Sequence, residues 1–455
     1  MYFKQFIADD LGCASYLIGD TGAGECVVVD PKWNVADYIE VAAGKGMRIA
    51  YVIETHNHAD HISGHGKLAA LGARVAVYES AGVEYPHLAL KDGDSISVGS
   101  VRLQAIHTPG HRPEHIAIAV SDLSRTDEPW LVLTGDSLFV GDVGRPDLAI
   151  EPGEGAAQLY HSLRARLLIL GDEVEVYPGH VAGSLCGKAM SDKGSSTIGF
   201  ERRWNPALRA RKEATFVKSV TAELPAQPPQ FARIVARNRG PFLTDEIEAG
   251  PIPADEVARM REQNASILDT RSPQAFGGGH IPGAFNVYLH GGQFATRASW
   301  VLPVGKPFIL VLETADELHT TLERLAMSGQ DGVCGYLLGG MGAWESSGLP
   351  LETILQVSAE QLKERLDTQD NDLAVLDVRE QSEWREGHIP GAIHVPFHAL
   401  KDHLGELPKG RTLATICGSG IRSSIAAGIL QAHGYNPVNV AGGMDAWRAM
   451  DGPLS

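Results

Sequence analysis

The sequence predicts an α/β multidomain protein, and three observations carry that expectation. At roughly 100 to 200 residues per domain, a chain of 455 residues holds about three cores. Short β-branched runs alternate with helical stretches through the C-terminal half. The C-terminal half also repeats itself: LDTRSPQAFGGGHIPGAFNV from Leu268 matches LDVREQSEWREGHIPGAIHV from Leu376, and LLGGMGAWESSGLPL from Leu337 matches VAGGMDAWRAMDGPL from Val440.

The elements follow in order. In the first half, ECVVVD, IAYVIET, VRLQAIHT and PWLVLTGD read as strands, each running into a loop rich in His, Asp or Gly. Pro-rich ELPAQPPQF and polar RGPFLTDEIEAGPIP then mark a junction near Asp245. In the repeats, strands ILDT, FILVLE, AVLDV and LATIC alternate with helices DELHTTLERLAM and SSIAAGILQAH, the pattern of a parallel sheet. The expected domains are residues 1–245, 246–353 and 354–455.

Composition narrows the function. A 44% hydrophobic and 21% charged chain is ordinary globular protein. It has no apolar run of about 18 residues and no signal-like opening, so a cytoplasmic protein without a membrane partner is expected. Cys13, Cys26, Cys186, Cys334 and Cys417 are odd in number and scattered, which argues for thiols rather than a disulfide framework. A formal charge of -17 with no basic run excludes nucleic acid as an expected partner. Assembly into a homo-oligomer stays open.

The segment Thr55-His56-Asn57-His58-Ala59-Asp60-His61 crowds three imidazoles and a carboxylate directly after an apolar run, which no core needs. His111 in TPGHRPEH, Asp136 in LTGDSLF and His180 in VYPGH follow, each again just past a hydrophobic strand. Any one of these would read as a hydrogen-bonded histidine or aspartate. Together they predict a centre for Zn(II), Mn(II) or Fe(II) without thiolate.

HxHxDH, PGH, TGD and a last GH resemble the metallo-β-lactamase superfamily, which implies an αββα sandwich with the site at one edge. Its hydrolases hold two metals, and every position for that is present: His56, His58 and His111 for one, Asp60, His61 and His180 for the other, with Asp136 bridging. TGDSLF followed by GRPD, carrying Arg145 and Asp147, is similar to the persulfide dioxygenase branch. That branch implies one Fe(II) on His56, His111 and Asp136, with His58, Asp60, His61 and His180 left as second-shell or second-metal positions. It also implies oxidation of a small-molecule thiol persulfide by O2 to sulfite. For Arg145 and Asp147 an ion pair stands beside substrate contact. Glutathione-using members carry Asp-Tyr after the last histidine, whereas here Val181-Ala182-Gly183-Ser184-Leu185-Cys186-Gly187-Lys188 follows, which argues against glutathione as carrier. AGSLCGK with SSTIGFERRWNP resembles bacterial fusions of a persulfide dioxygenase with rhodanese modules; Cys186 is a candidate substrate contact or a small buried residue, and Arg202 and Arg203 a candidate anion contact or a solvated pair.

Strand LATI runs into Cys417-Gly418-Ser419-Gly420-Ile421-Arg422-Ser423 and then a helix. A cysteine there faces backbone N–H groups and the positive helix end, a setting that favours thiolate, and Arg422 is placed to grip sulfite or thiosulfate. With DVR, GHIPGA and GGMDAW around it, the domain resembles a rhodanese, one of two rhodanese-like parallel-sheet α/β domains, with Cys417 as sulfur carrier. Aligning the copies by their strands puts Glu313 at the Cys417 position and Leu318 at that of Arg422, so the first copy is expected to be silent, with Cys334 in a strand. Two rivals stand against the oxidase. One is a dinuclear hydrolase of the glyoxalase II type, acting by a metal-bound hydroxide; the other is a sulfur-delivery protein whose metal serves only structure, and Zn(II) stands as the alternative to Fe(II).

Overall fold

The computed structural model describes every residue except Asp9, Gly183, Leu185, Lys188 and Ala189, so part of the loop after His180 lies outside the described residues. The chain divides into two compact units, Met1–Glu246 with Ala326–Gly329, and Ile247–Leu325 with Gln330–Ser455. No helix among the described residues is long and apolar enough to cross a membrane.

In the first unit, strands Tyr2–Ala8, Cys13–Asp20, Glu25–Val29, Arg48–Ile53, Arg74–Tyr78 and Leu88–Leu90 form one sheet in that order. A second sheet runs Ser196–Thr197, Glu175–Pro178, Leu131–Gly135, Ile116–Asp122, Val101–His107 and Ser95–Val98. The central strands Cys13–Asp20, Ile116–Asp122 and Leu131–Gly135 are buried along nearly their whole length, whereas Val101–His107 and Ser95–Val98 alternate. Tyr16, Ile18, Val27, Val29 and Ile53 point inward and meet Leu103, Ile116, Ile118, Val120 and Leu133 from the other sheet. Their strand neighbours Leu17, Val28 and Val52 point outward onto Tyr38, Ala42 and Leu68 of two helices. On the far side Val132 and Val176 meet Leu159, Leu163 and Phe216. The layers are αββα, as the resemblance implied. Each buried aliphatic or aromatic side chain of this kind contributes about 1.5–3 kcal/mol.

The second unit contains two sheets of one design. Pro251–Ile252, Val333–Leu337, Phe308–Val311, Ser266–Asp269 and Phe285–Asn286 form the first in that order. Leu355–Val357, Asn436–Val440, Thr412–Ile416, Leu373–Asp377 and Ile393–His394 form the second. All strand pairs in both are parallel. Cys334 lies exposed in a strand, where the sequence put it. One apolar cluster runs through both copies, from Leu268, Leu289 and Phe294 to Leu376, Phe397 and Ile425. Ser424 of the second copy donates to Asn286 Oδ1 of the first at 2.7 Å, so the first copy is a packed neighbour of the cysteine-loop helix.

Candidate metal centre and cysteine loop

Four strand ends converge at one edge of the sandwich. Arg48–Ile53 leads to His56, Val101–His107 to His111, Leu131–Gly135 to Asp136, and Glu175–Pro178 to His180. The turn before Asp136 needs Gly135, which has φ +47°; a Cβ there would lie 2.5 Å from His115 Nε2 and 3.0 Å from Thr55 Oγ1.

Each ligand candidate is aimed by a hydrogen bond on its far side. Asp30 accepts from the Thr55 backbone N–H at 2.7 Å and from Thr55 Oγ1 at 2.8 Å. Because the Thr55 proton goes to Asp30, His56 Nδ1, 2.9 Å from that hydroxyl, is the donor, and its Nε2 keeps a free lone pair. His111 Nδ1 donates to the Arg145 carbonyl at 2.9 Å, which likewise bares Nε2. That Nε2 is 3.4 Å from Asp136 Oδ2, a buried oxygen without a hydrogen-bond partner. Ligand atoms of His56, His111 and Asp136 all lie within 4.8 Å of one another, and all three residues are buried. Burial, reinforced by neighbouring imidazoles, holds His56 well below the ordinary histidine range. Burial also lowers His111. Burial alone would raise the Asp136 carboxyl, but His180 beside it, by charge and hydrogen bond, keeps it low. Neutral imidazoles and an ionised carboxylate are the forms that bind a divalent cation, so these residues fit a metal site.

The positions a second ion needs are engaged with one another. His180 Nδ1 is 2.8 Å from Asp136 Oδ1 and its Nε2 is 2.7 Å from Asp60 Oδ2, so both nitrogens point at carboxylates. Burial works against its charge, yet the carboxylates, Asp136 foremost, raise it well above the usual range. Asp60 also meets His61 Nδ1 at 3.3 Å and Cys13 Sγ at 3.2 Å. His58 Nε2 sits 3.2 Å from both Asp30 and Glu54. Asp60, His180 and the buried Cys186 form one further close group, and Cys13, Asp60 and His61 another. Burial pushes the Cys186 thiol well above its ordinary range.

Arg145 and Asp147 pair with each other at 2.7 and 2.8 Å, and Arg145 also donates to the Pro225 carbonyl at 2.6 Å. Of the two readings for this pair, the loop-fixing one has observed partners. Arg202 and Arg203 both reach Asp172 on the surface. Sequence reasoning missed Asp30, Cys13 and His115. His115 Nε2 accepts from the Asp136 backbone N–H at 2.9 Å, and its place in TPGHRPEH was the one available signal. Cys13 had none.

In the second unit, Cys417 follows strand Thr412–Ile416, and Gly420, with φ +94°, turns the chain into helix Ile421–Ala432. The Gly420 N–H donates to Cys417 Sγ at 3.2 Å and Ser423 Oγ donates to it at 3.4 Å. Met444 and Asp445 N–H groups hold the loop carbonyls of Cys417 and Gly418. Arg422 donates through Nη1 and Nη2 to Glu383 at 2.6 and 2.7 Å.

The silent copy needs a correction. Val311 pairs with Asp269 as Ile416 pairs with Asp377, so the residue after the strand is Leu312, not Glu313, at the Cys417 position. The helix ends agree: Gln330 N–H bonds Leu325 O as Tyr435 N–H bonds Leu430 O. The same register puts Glu317, not Leu318, opposite Arg422. The loop carries no landmark residue, and only strand pairing resolves a one-residue shift. The first copy still lacks both nucleophile and cation.

Residues 8–180 match the Metallo-beta-lactamase superfamily, and residues 253–347 and 358–450 each match the Rhodanese-like domain. The mitochondrial persulfide dioxygenase ETHE1 of Homo sapiens is 32% identical over 208 residues, 45% of this chain and 74% of the relative. A hydroxyacylglutathione hydrolase of Polaromonas sp. is 34% identical over 170 residues, 36% of this chain and 61% of the relative. A metallo-beta-lactamase structure from Staphylococcus aureus superposes with a TM-score of 0.67 at 31% identity, covering 74% of this chain and 98% of that one. The chain thus belongs to the metallo-beta-lactamase superfamily, as a domain homologous to persulfide dioxygenases followed by two rhodanese-like domains.

Proposed function

We propose that this chain is a three-domain enzyme, residues 1–245, 246–353 and 354–455, that oxidises low-molecular-weight thiol persulfides with O2 to sulfite and thiol. One non-haem Fe(II) is held by His56, His111 and Asp136, and Cys417 moves sulfane sulfur, giving or using thiosulfate. The observation that supports the single-ion reading is His180, whose Nδ1 and Nε2 meet the Asp136 and Asp60 carboxylates at 2.8 and 2.7 Å. Bound Fe(II) supplies one-electron chemistry with O2, which Zn(II), the alternative occupant and the metal of a hydrolase, lacks. The chain's own residues do the rest. Thr55 and the Arg145 carbonyl hold the two imidazoles in the tautomer that presents Nε2, and His180 fixes Asp136 so that Oδ2 faces them.

At the loop, the Cys417 thiolate attacks the outer sulfur of R–S–SH. The S–S bond breaks, R–SH leaves with the proton, and Cys417 keeps the sulfur as Cys–S–S⁻. Sulfite attacks that terminal sulfur and thiosulfate departs, returning the thiolate. The Gly420 N–H and Ser423 hydroxyl face the sulfur on which the charge returns.

An anaerobic preparation assayed for metal and then for O2 uptake with several small persulfides tests the reading. About one iron per chain and persulfide-dependent O2 consumption are expected. Two metals per chain, with thiolester hydrolysis and no O2 consumption, would establish the hydrolase instead.

A further inference from the structure

Two arginine–carboxylate pairs brace the second rhodanese-like copy, and they behave differently between the copies. In the first pair Arg379 Nη2 binds Asp377 at 2.6 Å and the Gly387 carbonyl at 2.9 Å. The first copy repeats this with Arg271, Asp269 and Gly279 at 2.6 and 2.8 Å. A pair kept in the copy without a cysteine belongs to the fold. The second pair, Glu383 with Arg422, occurs only beside Cys417: by the register above, Ala275 stands at the Glu383 position and Glu317 at that of Arg422. Both members are missing where the nucleophile is missing. That pair belongs to the chemistry.

Its geometry indicates what it does. Glu383 is aimed by its own helix start, where the Glu380 N–H donates to Oε2 at 3.0 Å. Arg422 reaches over the loop, so that a Cβ on Gly418 would lie 3.5 Å from Nη2. The carboxylate therefore occupies the fork that a sulfur oxyanion would use, and its charge offsets the guanidinium next to an anionic sulfur.

We propose that Glu383 is a specificity-determining residue of the sulfur-transfer loop. By holding Arg422 in a two-bond fork, it disfavours doubly charged oxyanions such as sulfite and thiosulfate against neutral or singly charged thiols and persulfides. This rests on the reading of Cys417 as the sulfur carrier. Glu383 is a positioning residue; it touches Arg422 and not the reacting sulfur.

The test compares the full-length parent with Glu383→Gln, Glu383→Ala and Glu383→Asp. The position equivalent to Ala275 shows that this fold accommodates alanine there. KM for thiosulfate should fall about three- to five-fold in the Gln and Ala variants, the range of a partly exposed ion pair, with KM for a thiol acceptor changing less than about two-fold. Glu383→Asp, which keeps the charge, should stay near the parent. A second readout needs no turnover: alkylation of Cys417 by anionic iodoacetate relative to neutral iodoacetamide, followed by mass spectrometry, should rise in the Gln and Ala variants. An unchanged alkylation ratio, or equal shifts in both KM values, overturns the proposal. If the parent transfers no sulfur to any acceptor while the alkylation ratio responds as expected, the transfer reading fails and the charge selectivity stands.

Discussion

At the scale of single residues, the metal candidates differ from their neighbours in what their free atoms face. His56, His111 and Asp136 each have one atom fixed by the protein and another left toward the shared space. Replacing His111 or Asp136 with alanine removes one of the three proposed ligands. Either variant is expected to lose persulfide-dependent O2 uptake by at least about 100-fold and to retain little iron. Full activity in either would defeat the three-ligand assignment. His180 acts through Asp136, so His180→Ala should weaken iron binding by about 10- to 100-fold without emptying the ligand set. Titration with Fe(II) under anaerobic conditions separates the two classes.

At the scale of elements, strand ends are what turn scattered motifs into a site. The sheet register in the first unit aligns the four loops because each follows a strand with core-facing side chains that a one-residue slip would turn around. The same argument governs the silent loop. Introducing cysteine at Leu312 in a Cys417→Ser background is expected to give no sulfur transfer, because Glu317 replaces the cation and Ala315 replaces Gly420, whose φ of +94° suits glycine. Persulfide formed at residue 312 on incubation with thiosulfate, seen by mass spectrometry, would show that the first copy keeps a working pocket.

At the scale of the whole molecule, the two chemistries share sulfite on the proposed reading. Tethering raises its local concentration around Cys417. Cys417→Ser should leave O2 uptake within about two-fold of the parent, since serine is nearly isosteric with cysteine and residue 417 belongs to the second compact unit, not the one that carries the metal candidates. The product should shift from thiosulfate toward sulfite, measured by chromatography after the persulfide is consumed. An unchanged thiosulfate yield, corrected for the direct reaction of sulfite with persulfide, would remove Cys417 from the pathway.

The αββα layers and the tandem parallel sheets were legible in the sequence by itself, which also proposed the ligand triad and the cysteine loop, because each is written locally: apolar runs, a repeat, histidines at strand ends, a Gly-rich turn. Only the tertiary structure decided which partners those residues take. The two carboxylates beside His180, Asp60 and Asp136, lie 120 and 44 positions away in the chain. Arg422 read as an open anion grip until Glu383, 39 positions earlier in the chain, was folded onto it. The silent loop was misregistered by one residue until strand pairing aligned it. In each case the deciding contact joins residues far apart in sequence, and distance along a chain carries no record of the hydrogen bond that folding makes between its ends.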